Sequence, residues 1–106
     1  MTTRNKLSLV LSTLILSASI ASNALADGAA LYQAKGCLSC HGADAKTPVA
    51  PGFPRIAGQN PDYSFNQMRD IKSGARSNGQ SIAMKGIMVA VSEAEIREIA
   101  DWLGTQ

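Results

Sequence analysis

The chain has 106 residues, room for one small domain. Ten basic and eight acidic side chains give a formal net charge of +2, too small to suggest nucleic acid as a partner. Two cysteines cannot build a multi-disulfide framework, and with a single histidine they do not complete a four-ligand zinc site.

The first element is a leader. Arg4 and Lys6 make a short positive start, Leu7 to Ala18 is apolar and uncharged, and Ala24-Leu25-Ala26 is a small-x-small cleavage site. Residues 1–26 therefore read as a secretory signal peptide, and residues 27–106 as the mature domain. A permanent membrane anchor fits less well. The apolar run falls short of the roughly 20 residues a span needs, and Ser19, Ser22 and Asn23 dilute its end. The expected location is the periplasm, with no stable membrane insertion once the signal is gone. Cleavage removes Arg4 and Lys6 and leaves 80 residues with eight basic and eight acidic side chains. So small a domain often needs a staple such as a metal, a disulfide or a cofactor.

Three helices and a long irregular middle are predicted, an all-α domain. The first helix runs from about Gly28 to Cys40, through Ala29, Ala30, Leu31, Gln33, Ala34 and Lys35. Pro48, Pro51, Gly52, Pro54 and Gly58 exclude a helix from Gly42 to Gly58. The second helix opens on Asn60 as cap with Pro61 behind it, ends at Gly74, and draws an apolar side from Tyr63, Phe65, Met68 and Ile71. A loop containing Gly74, Gly79 and Gly86 follows. The last helix starts at a capping box, Ser92-Glu93-Ala94-Glu95, and aligns Ile96, Ile99, Ala100 and Leu103 on one face before Gly104.

The chemistry is concentrated in Cys37-Leu38-Ser39-Cys40-His41. This is C-x-x-C-H, the c-type haem attachment pattern. Two thiols three positions apart lie on one side of a helical turn, where they can add to the two vinyl groups of one haem. The adjacent histidine is then held beside the iron. The competing readings are a plain disulfide and a thiol redox protein built on Cys37 and Cys40. The redox pair expects a preceding strand and a βαβ context, and neither is evident. No histidine remains for the sixth iron position, so a methionine is expected there. Met68 reads as core. Met84 and Met88 are the candidates.

Those residues resemble a class I cytochrome c, close to the small bacterial cytochrome c4 and c553 kind. The likeness runs through Cys37 to Gly42, Pro51 to Gln59, Tyr63 to Gly74 and Ser92 to Leu103. It implies a small fold of three main helices with long loops wrapped around one covalently attached haem. It also implies that the ligand methionine is Met84, eight residues before Ser92, with Met88 as the alternative. The Pro51 carbonyl would accept the Nδ1–H of His41. Gly28 and Tyr32 resemble the small and aromatic residues where the first and last helices cross. Tyr63, Phe53 and Trp102 are read as packing residues.

The resulting expectation is a monohaem carrier of single electrons between redox proteins, with His41 and Met84 as axial ligands. It is an electron carrier and not an enzyme. One alternative is the cytochrome subunit of a periplasmic oxidoreductase, such as a flavocytochrome c sulfide dehydrogenase. The other is the thiol redox protein. Lys46, Arg55, Arg69, Lys72, Arg76 and Lys85 are opposed in their stretch by Asp62 and Asp70 alone. Lys46 and Lys85 would steer an acidic partner weakly.

Overall fold

A computed structural model describes residues 24–106, with side chains from residue 27 onward. Residues 1–23, most of the expected signal peptide, lie outside the described part. Five helices form within it: α1 Ala24–Ala34, α2 Leu38–His41, α3 Pro61–Ser73, α4 Ser81–Met88 and α5 Glu93–Gly104. Among the described residues there is no strand, and no helix is long and apolar enough to cross a membrane.

The expected first helix is two. It starts earlier than Gly28 and breaks after Ala34, because Gly36 takes a left-handed φ of 80° that a continuing helix cannot contain. The Cys37 N–H then donates to the Tyr32 carbonyl at 3.1 Å and a new turn, α2, begins. The second helix is as expected. The Asn60 side chain accepts from the Tyr63 N–H at 3.0 Å, and Gly74 closes the last turn by donating to the Ile71 carbonyl. Its buried face is set by Ser64, Met68 and Ile71. Tyr63 lies off that stripe and is 52% exposed, so it is not a core residue. The capping box is fully formed: Ser92 Oγ accepts from Glu95 N–H at 3.2 Å, and Glu95 Oε1 accepts from Ser92 N–H at 2.9 Å. The Ser92 N–H, and after it Lys35, hold the Glu95 carboxyl below its ordinary pKa.

The helix not foreseen is α4. Its first-turn cap, Gln80, makes no side-chain hydrogen bond, so no start signal marks it, and Gly86 lies inside it. It folds because Ser81 and Met88 are buried, with Met84 half-buried on the same face. Two ammonium groups secure the segment that follows it. Lys35 Nζ donates to the Ala90 carbonyl at 2.8 Å, and Lys72 Nζ donates to the Val91 carbonyl.

The core centres on α5. Ile96, Ile99, Ala100 and Leu103 are at most 2% exposed, and each of the three large side chains contributes roughly 1.5–3 kcal/mol by leaving water. Helix α1 crosses α5 at Gly28, where an added Cβ would lie 2.4 Å from the Glu98 carbonyl oxygen and 2.6 Å from Trp102 Cβ. One turn on, the rings of Tyr32 and Trp102 meet with centroids 4.9 Å apart and planes tilted by 45°. Helix α3 packs on α5 and on α4. Arg97 of α5 lies 4.7 Å over the Phe65 ring and pairs with Asp62 at 2.9 Å.

Candidate haem attachment site

Helix α2 is one turn long, and its four residues include Cys40 and His41 with Cys37 at its start. The turn lets Cys37 and Cys40 share a side: the His41 N–H donates to the Cys37 carbonyl at 3.0 Å, and Gly42 N–H to the Leu38 carbonyl at 3.1 Å. Both thiols are free and half-buried. Burial pushes the Cys37 thiol above its ordinary pKa, a backbone N–H pulls it down, and Cys40 pushes it up again. A redox-active pair needs the opposite, a thiol held low.

His41 is buried at 8% exposure. Its Nδ1 lies 2.9 Å from the carbonyl oxygen of Pro54. A carbonyl can only accept, so Nδ1 carries a proton, and in the neutral ring the lone pair is then on Nε2. The carbonyl that orients the ring is therefore that of Pro54, three residues beyond the expected Pro51, which is exposed. The intervening Gly52-Phe53 turn explains the shift. Phe53 N–H donates to the Ala50 carbonyl at 3.1 Å, folding Pro51 and Gly52 outward and bringing Pro54 back toward His41.

The loop between them is fixed at several points. Gly42 has φ 84°, and a Cβ there would sit 2.0 Å from the Thr47 carbonyl oxygen, so only glycine fits. Asp44 Oδ1 accepts from the backbone of Lys46 at 2.8 Å and of Thr47 at 3.1 Å, which lowers the Asp44 pKa. The carbonyl of buried Ala45 accepts from both Ile56 and Ala57 N–H at 3.1 Å, and Gly58 N–H donates to Leu103 at 2.8 Å. The proline-rich stretch is thus tied to the motif at one end and to α5 at the other.

Met84 is not in a loop. It lies in α4, one helical turn from Met88 on the same face. Met88 is 2% exposed within the core, whereas Met84 is half-buried at its edge. Gln80, at the start of α4, reaches the proline-rich stretch: its Nε2 would be 3.2 Å from a Cβ on Gly52. Of the mid-chain cations, Arg69 pairs with Glu93 at 3.7 Å, Arg76 donates to Gln67 Oε1 at 3.0 Å, and Lys72 holds Val91. Lys46, Arg55 and Lys85 make no ion pair among the described residues. Sequence reasoning missed the roles of Lys35 and Lys72, because nothing in the chain order brings them to residues 90–91.

Residues 25–106 match the family model for cytochrome c. The chain belongs to the cytochrome c family. Covalently bound haem c follows from that membership, and Cys37 and Cys40 fit its attachment motif. Two free thiols on one turn and a histidine with an uncommitted Nε2 suit that group. This cytochrome c is 41% identical over 83 residues to cytochrome c4 of Pseudomonas aeruginosa, covering 76% of this chain and 39% of that one. It is 43% identical over 82 residues to the thiosulfate dehydrogenase electron acceptor of Stutzerimonas stutzeri, covering 71% and 37%. It is 31% identical over 78 residues to cytochrome c-553 of Nitratidesulfovibrio vulgaris, covering 74% of each. The chain thus spans well under half the length of the first two relatives.

Proposed function

We propose that this cytochrome c carries single electrons between redox proteins in the periplasm. On this reading, residues 1–26 are the export signal, Cys37 and Cys40 hold one haem through thioether bonds, and His41 and Met84 ligate its iron. The observation that carries the reading is His41 in its motif. Its ring is oriented by Pro54 and its Nε2 is left without a hydrogen bond among the described residues. The haem, when bound, supplies a one-electron iron couple. The protein's part would be to hold the two iron ligands, His41 and Met84, in place. Donation from Nδ1 to Pro54 fixes the ring plane and makes Nε2 a better ligand. A methionine thioether raises the potential by favouring Fe(II). One electron enters from a donor protein and one leaves to an acceptor, and no bond to a substrate forms or breaks. Lys46 and Lys85, exposed and unpaired, attract an acidic partner weakly, so salt should slow transfer only modestly.

Met84 is favoured over Met88 because Met88 is already enclosed by the core. Two measurements test the reading. The intact mass of protein made in a host with haem-ligation machinery should exceed the processed polypeptide by one haem; the bare polypeptide mass would refute attachment. Met84→Ala should remove the weak red absorption of Fe(III)–thioether bonding. Met88→Ala should keep the band and cost about 2–5 kcal/mol of stability. The opposite pattern would reassign the ligand.

A second reading is an electron-accepting subunit of an oxidoreductase. It is favoured by the relative named as the electron acceptor of thiosulfate dehydrogenase. Co-purification of a dehydrogenase, for example a flavoprotein, would support it.

A further inference from the structure

Tyr32 holds the haem motif at both ends. Its carbonyl accepts from the Cys37 N–H at 3.1 Å, where the motif begins. Its hydroxyl donates to the Gly42 carbonyl at 2.6 Å, immediately after His41. The side chain is fully buried, and its ring is fixed against Trp102. The Gly42 carbonyl also accepts from Ala45 N–H at 3.3 Å, so the same oxygen starts the loop that leads to Pro54.

From these contacts we infer that Tyr32 is a positioning residue for His41, acting through its hydroxyl rather than only through its ring. The Pro54 carbonyl sets the rotation of the imidazole, and Tyr32 sets the backbone from which the imidazole projects. A phenylalanine would pack against Trp102 equally well and would remove the buried hydroxyl brace on the Gly42 carbonyl, leaving that oxygen to the Ala45 N–H alone. Short helix α2 has a single turn of its own hydrogen bonds, so it depends on such an outside brace. The inference rests on the proposed ligation by His41.

The test uses the haem-loaded protein and Tyr32→Phe, with Ile99→Val as a control that loosens the same core without removing a polar atom. Tyr32→Phe should split or broaden the hyperfine-shifted NMR signals of the His41 ring. It should also speed amide exchange across residues 40–42 by about tenfold, the loss expected for one buried hydrogen bond. Ile99→Val should lower the melting temperature and leave the ring signals as they are. Equal effects of the two variants on the His41 signals, or none from Tyr32→Phe, would overturn the inference. In the unmodified protein the Tyr32 hydroxyl proton should exchange slowly and show a contact to Gly42. Its absence would overturn the inference even if the variant failed to fold. If the unmodified protein lacks hyperfine-shifted His41 ring signals, the axial assignment itself falls, and the inference with it.

Discussion

Replacing Gly28 by alanine sets two effects against each other. In an isolated helix the change is favourable by about 1 kcal/mol, because alanine loses less backbone entropy. Here the new methyl would lie 2.4 Å from the Glu98 carbonyl oxygen, 3.1 Å from its carbon and 2.6 Å from Trp102 Cβ. The Glu98 atoms belong to the α5 backbone, so no side-chain rotation relieves the contact. Helix α1 must move away from α5 by several tenths of an ångström to about 1 Å. That displacement opens the packing between Tyr32 and Trp102. Overpacking of this kind costs typically 1–3 kcal/mol, and the rigid neighbours place it at the upper end. The expected net loss is roughly 1–2 kcal/mol, a fall in melting temperature of roughly 5–15 °C for a domain of this size. Thermal unfolding of the haem-loaded protein, followed by far-ultraviolet circular dichroism, measures it. A melting temperature equal to or above that of the unmodified chain would refute the reasoning, since helix propensity would then have won.

Ser92→Ala should cost about 0.5–2 kcal/mol in urea unfolding, because it removes the acceptor for the Glu95 N–H and releases the carboxylate that returns the bond. Gly42→Ala should sharply reduce the yield of haem-loaded protein, measured by its absorbance per polypeptide, since the methyl would overlap the Thr47 carbonyl at a backbone angle alanine resists. Tyr32 is pushed up to about 12, first by burial, then by Cys37, Asp44 and Cys40. A pKa raised in the folded state favours folding fully below the unfolded value of about 10. That contribution disappears as pH climbs through about 12, so stability should fall over this window; with Cys37 and Cys40 in thioether bonds, burial and Asp44 supply the effect. Tyr32→Phe should lack this part of the alkaline loss in denaturant titrations at fixed pH.

The parts of the fold written in local signals were readable. The capping box at Ser92, the Asn60-Pro61 start and the i, i+3, i+4, i+7 face of Ile96 to Leu103 each declare themselves within a few residues. So does C-x-x-C-H. Helix α4 did not, because its start has no side-chain cap and its stability comes from burying Ser81 and Met88 against distant elements. The break at Gly36 shows the limit of propensity. Lys35 is a good helix former, but the chain must turn at Gly36 so that Cys37 begins a separate turn. The exchange of Pro51 for Pro54 has the same origin. Both prolines precede exposed residues in a loop, and only the turn at Ala50–Phe53 decides which carbonyl faces His41. Lys35 read as a helix former and Lys72 as one of the mid-chain charges, yet both are donors to consecutive carbonyls, a use that tertiary structure alone reveals.

The pairing of α1 with α5 has a consequence for the order in which the domain can be assembled. The two ends of the described chain pack on each other, and Tyr32 needs Trp102 beside it. A chain that emerges N-terminus first therefore presents Cys37 and Cys40 long before the surface that completes their neighbourhood exists. Closing so long a loop is slow compared with forming any single helix. During that interval α1 has no partner, the α2 turn is marginal, and both thiols stand on an unfinished chain, open to covalent modification until Trp102 and Leu103 arrive.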